Sequence, residues 1–130
     1  MGTPSLTVLL IDDDAALRHV TSRYLNRAGM ICVSFEDAIS GLGVAGTLLP
    51  DVVVCDLSLD EMTGFDFAAR MRSRSITANI PVILMSGYSL PEPTPVTKAS
   101  TCVFSFLEKP FTSEQLLHAI LTASISKRLG

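Results

Sequence analysis

The chain has little charge and no surplus of positive charge. Charged residues fill only 18% of its 130 positions, and ten Lys+Arg stand against thirteen Asp+Glu. A surface built for nucleic acid needs clustered basic residues, so direct nucleic-acid binding by this domain is not expected. Cys32, Cys55 and Cys102 are far apart and form no C-x-x-C pair, which removes zinc and thioredoxin-type chemistry from consideration. No apolar run approaches the roughly 18 residues of a membrane helix. No basic segment followed by a long apolar stretch opens the chain, so neither a membrane association nor a signal peptide is expected. Unpaired cysteines of this kind fit a reducing cytoplasm. What is abundant is apolar side chain: 48% of residues are hydrophobic, which excludes disorder. The length suits one domain with its own core.

Apolar runs and turn residues alternate along the chain. Residues 6–11 (LTVLLI) form a short continuous apolar run, expected as a strand buried on both faces. Asp14 follows where an N-cap belongs, with Leu17, Val20, Tyr24 and Leu25 at helical spacing and Gly29 as the stop. Residues 30–35 read as a second strand, and 36–49 as a helix weakened by Gly41, Gly43 and Gly46 and ended by Pro50. Residues 51–57 (DVVVCDL) carry the strongest strand signal. A loop to Gly64 and a helix over 65–73 come next, the helix with Phe65, Ala68, Ala69 and Met71 as its apolar positions. A fourth strand is expected over 81–86 and a fifth over 102–107. Pro91, Pro93 and Pro95 lie between them, so the intervening helix should be short or irregular. Thr112 or Ser113 caps a last helix whose apolar positions include Leu116, Leu117, Ile120 and Leu121. Five apolar strands alternating with helices specify an α/β fold, a doubly wound five-stranded parallel sheet with helices on both faces.

Ligands of such sheets bind beyond the carboxyl ends of the strands. The first strand ends in Asp12-Asp13-Asp14, the third in Asp56, the fourth in Ser86, and the fifth is followed by Lys109-Pro110-Phe111. Three carboxylates brought together repel one another unless a cation joins them. An all-oxygen set of this kind suits Mg²⁺. A metal beside a carboxylate, with a lysine and a hydroxyl facing it, is what phosphoryl transfer requires. With Asp12, Asp13 and Asp56 assigned to such a site, the ten remaining acids match the ten bases, so the net charge of −3 is a local feature.

The ordered set formed by the Asp12-Asp13 pair, Asp56, Gly64, Ser86 and Lys109-Pro110-Phe111 resembles the receiver domain of two-component response regulators over essentially the whole chain. The resemblance implies a flavodoxin-like sheet in the order 2-1-3-4-5. It implies that Asp56 is the phosphoacceptor, charged by the phosphohistidine of a sensor histidine kinase or a phosphotransfer protein. Asp13 would hold Mg²⁺ (or Mn²⁺) directly and Asp12 through water, with Asp56 and the Ser58 backbone carbonyl completing the protein ligands. Ser86 would bond the phosphoryl oxygen and Lys109 pair with it across a cis Lys109-Pro110 peptide. Ser86 and the aromatic at Phe106 would form the switch, reshaping the face of the fourth helix, fifth strand and last helix for an output domain or partner protein, or for a homodimer. The expected organisation is one receiver domain over residues 1–130, core about 5–126, with no output domain in this chain. The resemblance implies a switch that catalyses its own phosphorylation and dephosphorylation rather than a turnover enzyme.

Several positions depart from the family pattern. The loop after Asp56 carries two extra acids, Asp60 and Glu61, and no proline; they would either strengthen the attraction for a cation or simply be solvated, and solvation is the plainer reading. Cys102 and Val103 replace a smaller pair before the switch aromatic. The resemblance places Tyr88, two residues past Ser86, over the path of the hydrolytic water, where it would slow dephosphorylation; the alternative is a partly exposed loop aromatic, and Tyr88→Ala would decide by the phosphoryl lifetime. Residues 41–46 (GLGVAG) match G-x-G-x-x-G. They lie inside an expected helix rather than in a strand-to-helix turn, so cofactor binding is rejected. A haloacid-dehalogenase-type hydrolase would need a second acid at Ser58. His19 and His118 have no acid partners at metal spacing. The remaining alternative is a phosphorylation-independent interaction module with the same fold.

Overall fold

The computed structural model describes residues 5–87 and 102–129. The chain runs β1 (Thr7–Ile11), α1 (Ala15–Arg27), β2 (Ile31–Phe35), α2 (Ala38–Leu48), β3 (Val52–Asp56), α3 (Gly64–Ser73), β4 (Val82–Ser86), β5 (Ser105–Glu108) and α4 (Ser113–Leu129). All strand pairs are parallel and the sheet order is β2-β1-β3-β4-β5. This is the expected doubly wound arrangement. The irregular helix expected after β4, with Pro91, Pro93, Pro95 and Tyr88, falls outside the described residues.

The three central strands β1, β3 and β4 are buried almost throughout, as their unbroken apolar runs require. β2 and β5 are the edges and are only partly covered. Alternate residues of each strand feed two cores. Leu9, Ile11, Val53, Cys55 and Leu84 face α2 and α3, where Leu42, Phe67 and Met71 meet them. Val8, Leu10, Val52, Val54, Ile83 and Met85 face α1 and α4, where Leu25, Leu116 and Ile120 pack.

Local chemistry sets the helix starts. The Asp14 carboxylate accepts the Leu17 amide at 3.1 Å, Asp37 accepts that of Ser40 at 2.7 Å, and the Thr63 hydroxyl accepts that of Asp66 at 3.1 Å. Before α4 the capping is reciprocal: Gln115 N donates to Thr112 Oγ1 at 3.0 Å and Thr112 N to Gln115 Oε1 at 2.8 Å. Asp37 therefore delays α2 by two residues from its expected start. Its end is a left-handed Leu49 (φ 49°) ahead of Pro50.

Not every apolar helix position faces the core. Val20 is 63% exposed and Thr21 takes the buried place on α1; Phe67, not Phe65, is the fully buried aromatic of α3; Leu121 is exposed and Ala123 is buried instead. In each case the buried position lies one or two residues away on a helix whose apolar and small polar side chains alternate, where spacing alone leaves the rotation loose. β5 begins three residues later than expected, because Cys102 lies in a tight helical turn. The GLGVAG segment is helix α2, and its Gly41 lets the helix approach the sheet where a Cβ would collide with the Ile11 side chain.

Candidate functional site

The ladder of the sheet continues past the strands and fixes the residues just beyond them. Asp12 N donates to Phe35 O at 3.1 Å, Leu57 N to Met85 O at 2.8 Å and Lys109 N to Ser86 O at 2.7 Å. Asp12, Asp56, Ser86 and Lys109 are therefore held by backbone bonds at one edge of the sheet. Asp12, Ser86 and Asp56 are buried there, at 0%, 2% and 8% exposure. Asp13 is exposed.

The predicted acids come together. One carboxylate oxygen from each of Asp12, Asp13 and Asp56 lies within 4.8 Å of the others. The Lys109 ammonium sits 3.1 Å from Asp56 Oδ2 and 3.8 Å from Asp12 Oδ2. Ser58 N donates to Asp56 Oδ1 at 3.1 Å, so each oxygen of the Asp56 carboxylate has a donor. The Lys109–Pro110 peptide is cis.

Asp12 is the strained member. Burial raises its pKa above the ordinary carboxylate value; the Asp14 amide and the Lys109 ammonium pull it down, while the Asp56 and Asp13 carboxylates push it up. Its Oδ1 accepts the Asp14 amide at 2.9 Å. Among the described residues its Oδ2 is buried without a hydrogen-bond donor. An orphaned carboxylate oxygen aimed into a cluster of oxygen donors is suited to a cation. The donor set, all oxygen and mostly carboxylate, fits Mg²⁺. Burial also pushes the neighbouring Cys55 thiol up, with the Asp56, Asp12 and Glu61 carboxylates adding to it, so this cysteine is an inert core residue.

Gly64 accounts for the turn after Asp56. Its amide donates to Leu57 O at 2.8 Å. A Cβ there would stand 2.7 Å from Leu84 Cδ2 and 3.0 Å from both Asp56 O and Leu57 Cα. Only glycine permits this approach. Phe106 is 40% exposed, its ring centroid 5.8 Å from that of Phe65. Cys102 and Val103 pack against the α2–α3 core.

Arg18 escaped the sequence reading, and so did the partner of Glu61. Arg18 Nη1 donates to Asp12 O at 2.7 Å, and no motif marks it beyond its place in the first turns of α1. Glu61 Oε1 accepts the Ala38 amide at 2.5 Å, so this acid has a fixed partner at the start of α2 and is not simply solvated. Its unusual charge in the loop was the available signal. His19 and His118 are exposed on their helices, and neither belongs to the carboxylate cluster.

The family model for the response regulator receiver domain matches residues 8–121. The regulatory protein VirG of Agrobacterium tumefaciens is 32% identical over 122 residues, covering 94% of this chain and 45% of that protein. The transcriptional regulatory protein GlrR of Escherichia coli is 33% identical over 114 residues, 87% of this chain and 25% of that protein. The chain thus spans less than half the length of these relatives. Among solved structures, the chemotaxis response regulator CheY4 of Vibrio cholerae superposes with a TM-score of 0.82 at 27% identity, covering 92% of this chain and 99% of that one. The receiver domain of the Francisella response regulator 1452 shares the fold, with a TM-score of 0.82 at 21% identity, over 94% of this chain and 98% of that one.

Proposed function

Because the chain belongs to the response regulator receiver domain family of two-component systems, we propose that Asp56 accepts a phosphoryl group from a phosphohistidine of a sensor kinase or phosphotransfer protein. The observation that carries this reading is the Asp56 carboxylate itself. It sits at the end of β3 with an ammonium 3.1 Å away and two further carboxylates close enough to share a cation with it.

In the proposed reaction one Asp56 carboxylate oxygen attacks phosphorus. The phosphorus–nitrogen bond of the phosphohistidine breaks, and the imidazole leaves with the electron pair. The Ser58 amide and the Lys109 ammonium fix the orientation of the attacking group. Lys109 also offsets the charge that builds on the phosphoryl oxygens, and the Ser86 hydroxyl donates to one of them. Asp12, Asp13, Asp56 and the Ser58 carbonyl are the groups that would hold Mg²⁺ or Mn²⁺. When bound, the cation supplies further neutralisation of phosphoryl charge. Water attack on the acyl phosphate at the same site returns the chain to its resting state, so the protein acts as a switch with a self-limiting chemistry.

The new charge on Asp56 then biases a two-state element. Ser86 and Phe106 are the proposed movers: the hydroxyl follows the phosphoryl oxygen, and the Phe106 ring, now outward against Phe65, turns into the space this opens. The proposed readers of that change are an output domain or a partner protein. Among the described residues no helix is long and apolar enough to cross a membrane.

Labelling by acetyl phosphate tests the proposal without a cognate kinase. The wild-type chain takes up label only with Mg²⁺ or Mn²⁺ present, and Asp56→Asn takes up none. Equal label on the two proteins, or none on the wild type, refutes the assignment. A binding module that does not use phosphorylation predicts the second of these results.

A further inference from the structure

The loop between β3 and α3 carries Ser58, whose carbonyl is one of the groups assigned to the cation. Three backbone contacts organise its base: Ser58 N donates to Asp56 Oδ1, Gly64 N donates to Leu57 O, and Ser58 bridges to Thr63 in antiparallel fashion. None of them holds its tip. The tip residues Leu59 to Met62 include two acids, and these two have different surroundings. Asp60 is exposed and, among the described residues, enters no hydrogen bond or ion pair. Glu61 reaches across to α2 and accepts the Ala38 amide.

Ala38 is the first residue of α2, and Asp37 already caps the Ser40 amide and hydroxyl at 2.7 and 2.9 Å. Glu61 thus satisfies a second free amide at the same helix start, as the capping acid of a local box would, but from a residue 23 positions away. The bond joins a carboxylate to the positive end of a helix, which makes it charge-assisted. The anchor is well fixed, because Ala38 is fully buried in the α2–α3 core, whereas Glu61 reaches it from the exposed loop tip.

We propose that Glu61 is a positioning residue for the cation site: by docking on the start of α2 it clamps the tip of the β3–α3 loop and so keeps Ser58 in register with Asp56. The inference rests on the assignment of Asp12, Asp13, Asp56 and Ser58 to a cation. Glu61 itself touches neither the cation nor the phosphoryl group in this role. Groups that orient metal ligands from behind change metal affinity by roughly tenfold or more when removed.

The test compares the full wild-type chain with Glu61→Ala, Glu61→Gln and Asp60→Ala. Mn²⁺ affinity is read by electron paramagnetic resonance, labelling by acetyl phosphate, and the Ala38 amide by hydrogen exchange. Glu61→Ala is expected to weaken Mn²⁺ binding about tenfold, raise the donor concentration needed for half-maximal labelling rate, and release the Ala38 amide to exchange. Glu61→Gln retains an acceptor oxygen and should restore affinity to within about threefold of wild type, a rescue that loss of bulk negative charge does not predict. Asp60→Ala removes the same charge from the same loop and should leave the Ala38 amide protected. Equal weakening in Glu61→Ala and Asp60→Ala, no rescue by Glu61→Gln, or unchanged Ala38 exchange in Glu61→Ala overturns the proposal while leaving the cation assignment intact. A wild-type chain that binds no Mn²⁺ overturns both.

Discussion

Replacing Asp12 by asparagine should make the protein more stable in the absence of divalent cations and less responsive to their addition. A carboxylate oxygen of Asp12 lies within 4.8 Å of a like charge on Asp56, and its buried Oδ2 is 3.8 Å from the opposite charge on Lys109. At an effective dielectric constant of 20 the repulsion amounts to about 3.5 kcal/mol and the attraction to about 4.4 kcal/mol. These nearly cancel, so the cost of burying the carboxylate decides the sign, and the raised pKa of Asp12 says that burial wins. An asparagine keeps the acceptor for the Asp14 amide and removes a buried charged oxygen that lacks a donor, a change of about 1–3 kcal/mol. Urea unfolding at neutral pH in a chelator should therefore place Asp12→Asn above wild type by that amount. Saturating Mg²⁺ reverses the comparison. Ligand at a hundred times its Kd adds about 2.7 kcal/mol, and each tenfold loss of affinity in the variant removes about 1.4 kcal/mol of that gain. The pH dependence comes from the same shift. The folded chain binds the Asp12 proton more tightly than the unfolded chain does. Cation-free wild type therefore loses stability as pH rises from about 3.9 through the raised value, and Asp12→Asn lacks that loss. The gap between the two proteins should close on acidification. A variant less stable than wild type in chelator, or one that gains as much from Mg²⁺, would show that Asp12 is a satisfied structural acid.

Three other substitutions probe the site and its frame. Lys109→Ala removes the ammonium 3.1 Å from Asp56 and should slow acetyl phosphate labelling by about 100-fold with the circular dichroism spectrum unchanged; a rate within a few-fold of wild type would dismiss its electrostatic role. Gly64→Ala forces a Cβ against Asp56 O and Leu57 Cα and should lower unfolding free energy by about 1–3 kcal/mol, with labelling reduced as well, because the displaced backbone carries Asp56, the proposed acceptor. Leu49→Gly relieves a left-handed leucine (φ 49°) at the end of α2. That strain costs roughly 1–2 kcal/mol, part of which is offset by the entropy of glycine, so urea midpoints should rise by the equivalent of about 0.5 kcal/mol; a fall would show that the Leu49 side chain matters more than its backbone.

The parts of the fold that were legible in the sequence share one property: the signal was local. Unbroken apolar runs mark β1, β3 and β4 because both of their faces are covered. The N-cap at Asp14 and the stop at Gly29 (φ 90°) are set by residues next to the helix they bound. The gathering of Asp12, Asp13, Asp56 and Lys109 was legible for a different reason. A parallel sheet turns the ends of separate strands into neighbours, so position after a strand is enough to place them. What was not legible depends on rotation or on distant partners. Val20 and Thr21 exchange roles on α1 through a turn of about one residue. The partner of Glu61 lies 23 residues upstream, and the hydrogen bond from Arg18 to the Asp12 carbonyl needs the helix to be docked before it can be seen.

β3 divides its side chains between two cores, Val53 and Cys55 on one face and Val52 and Val54 on the other. It is also bonded on both sides, to β1 and β4. Neither helical layer can be shed without stripping one face of this strand, so the domain has no natural half-way state in which β3 survives. The consequence concerns fidelity. Because Asp56 is the last residue of that strand, assembly of the acid pair with Lys109 reports on the integrity of the whole molecule. On the proposed reading of Asp56 as acceptor, a partly opened chain presents scattered acids, takes up no phosphoryl group and sends no false signal.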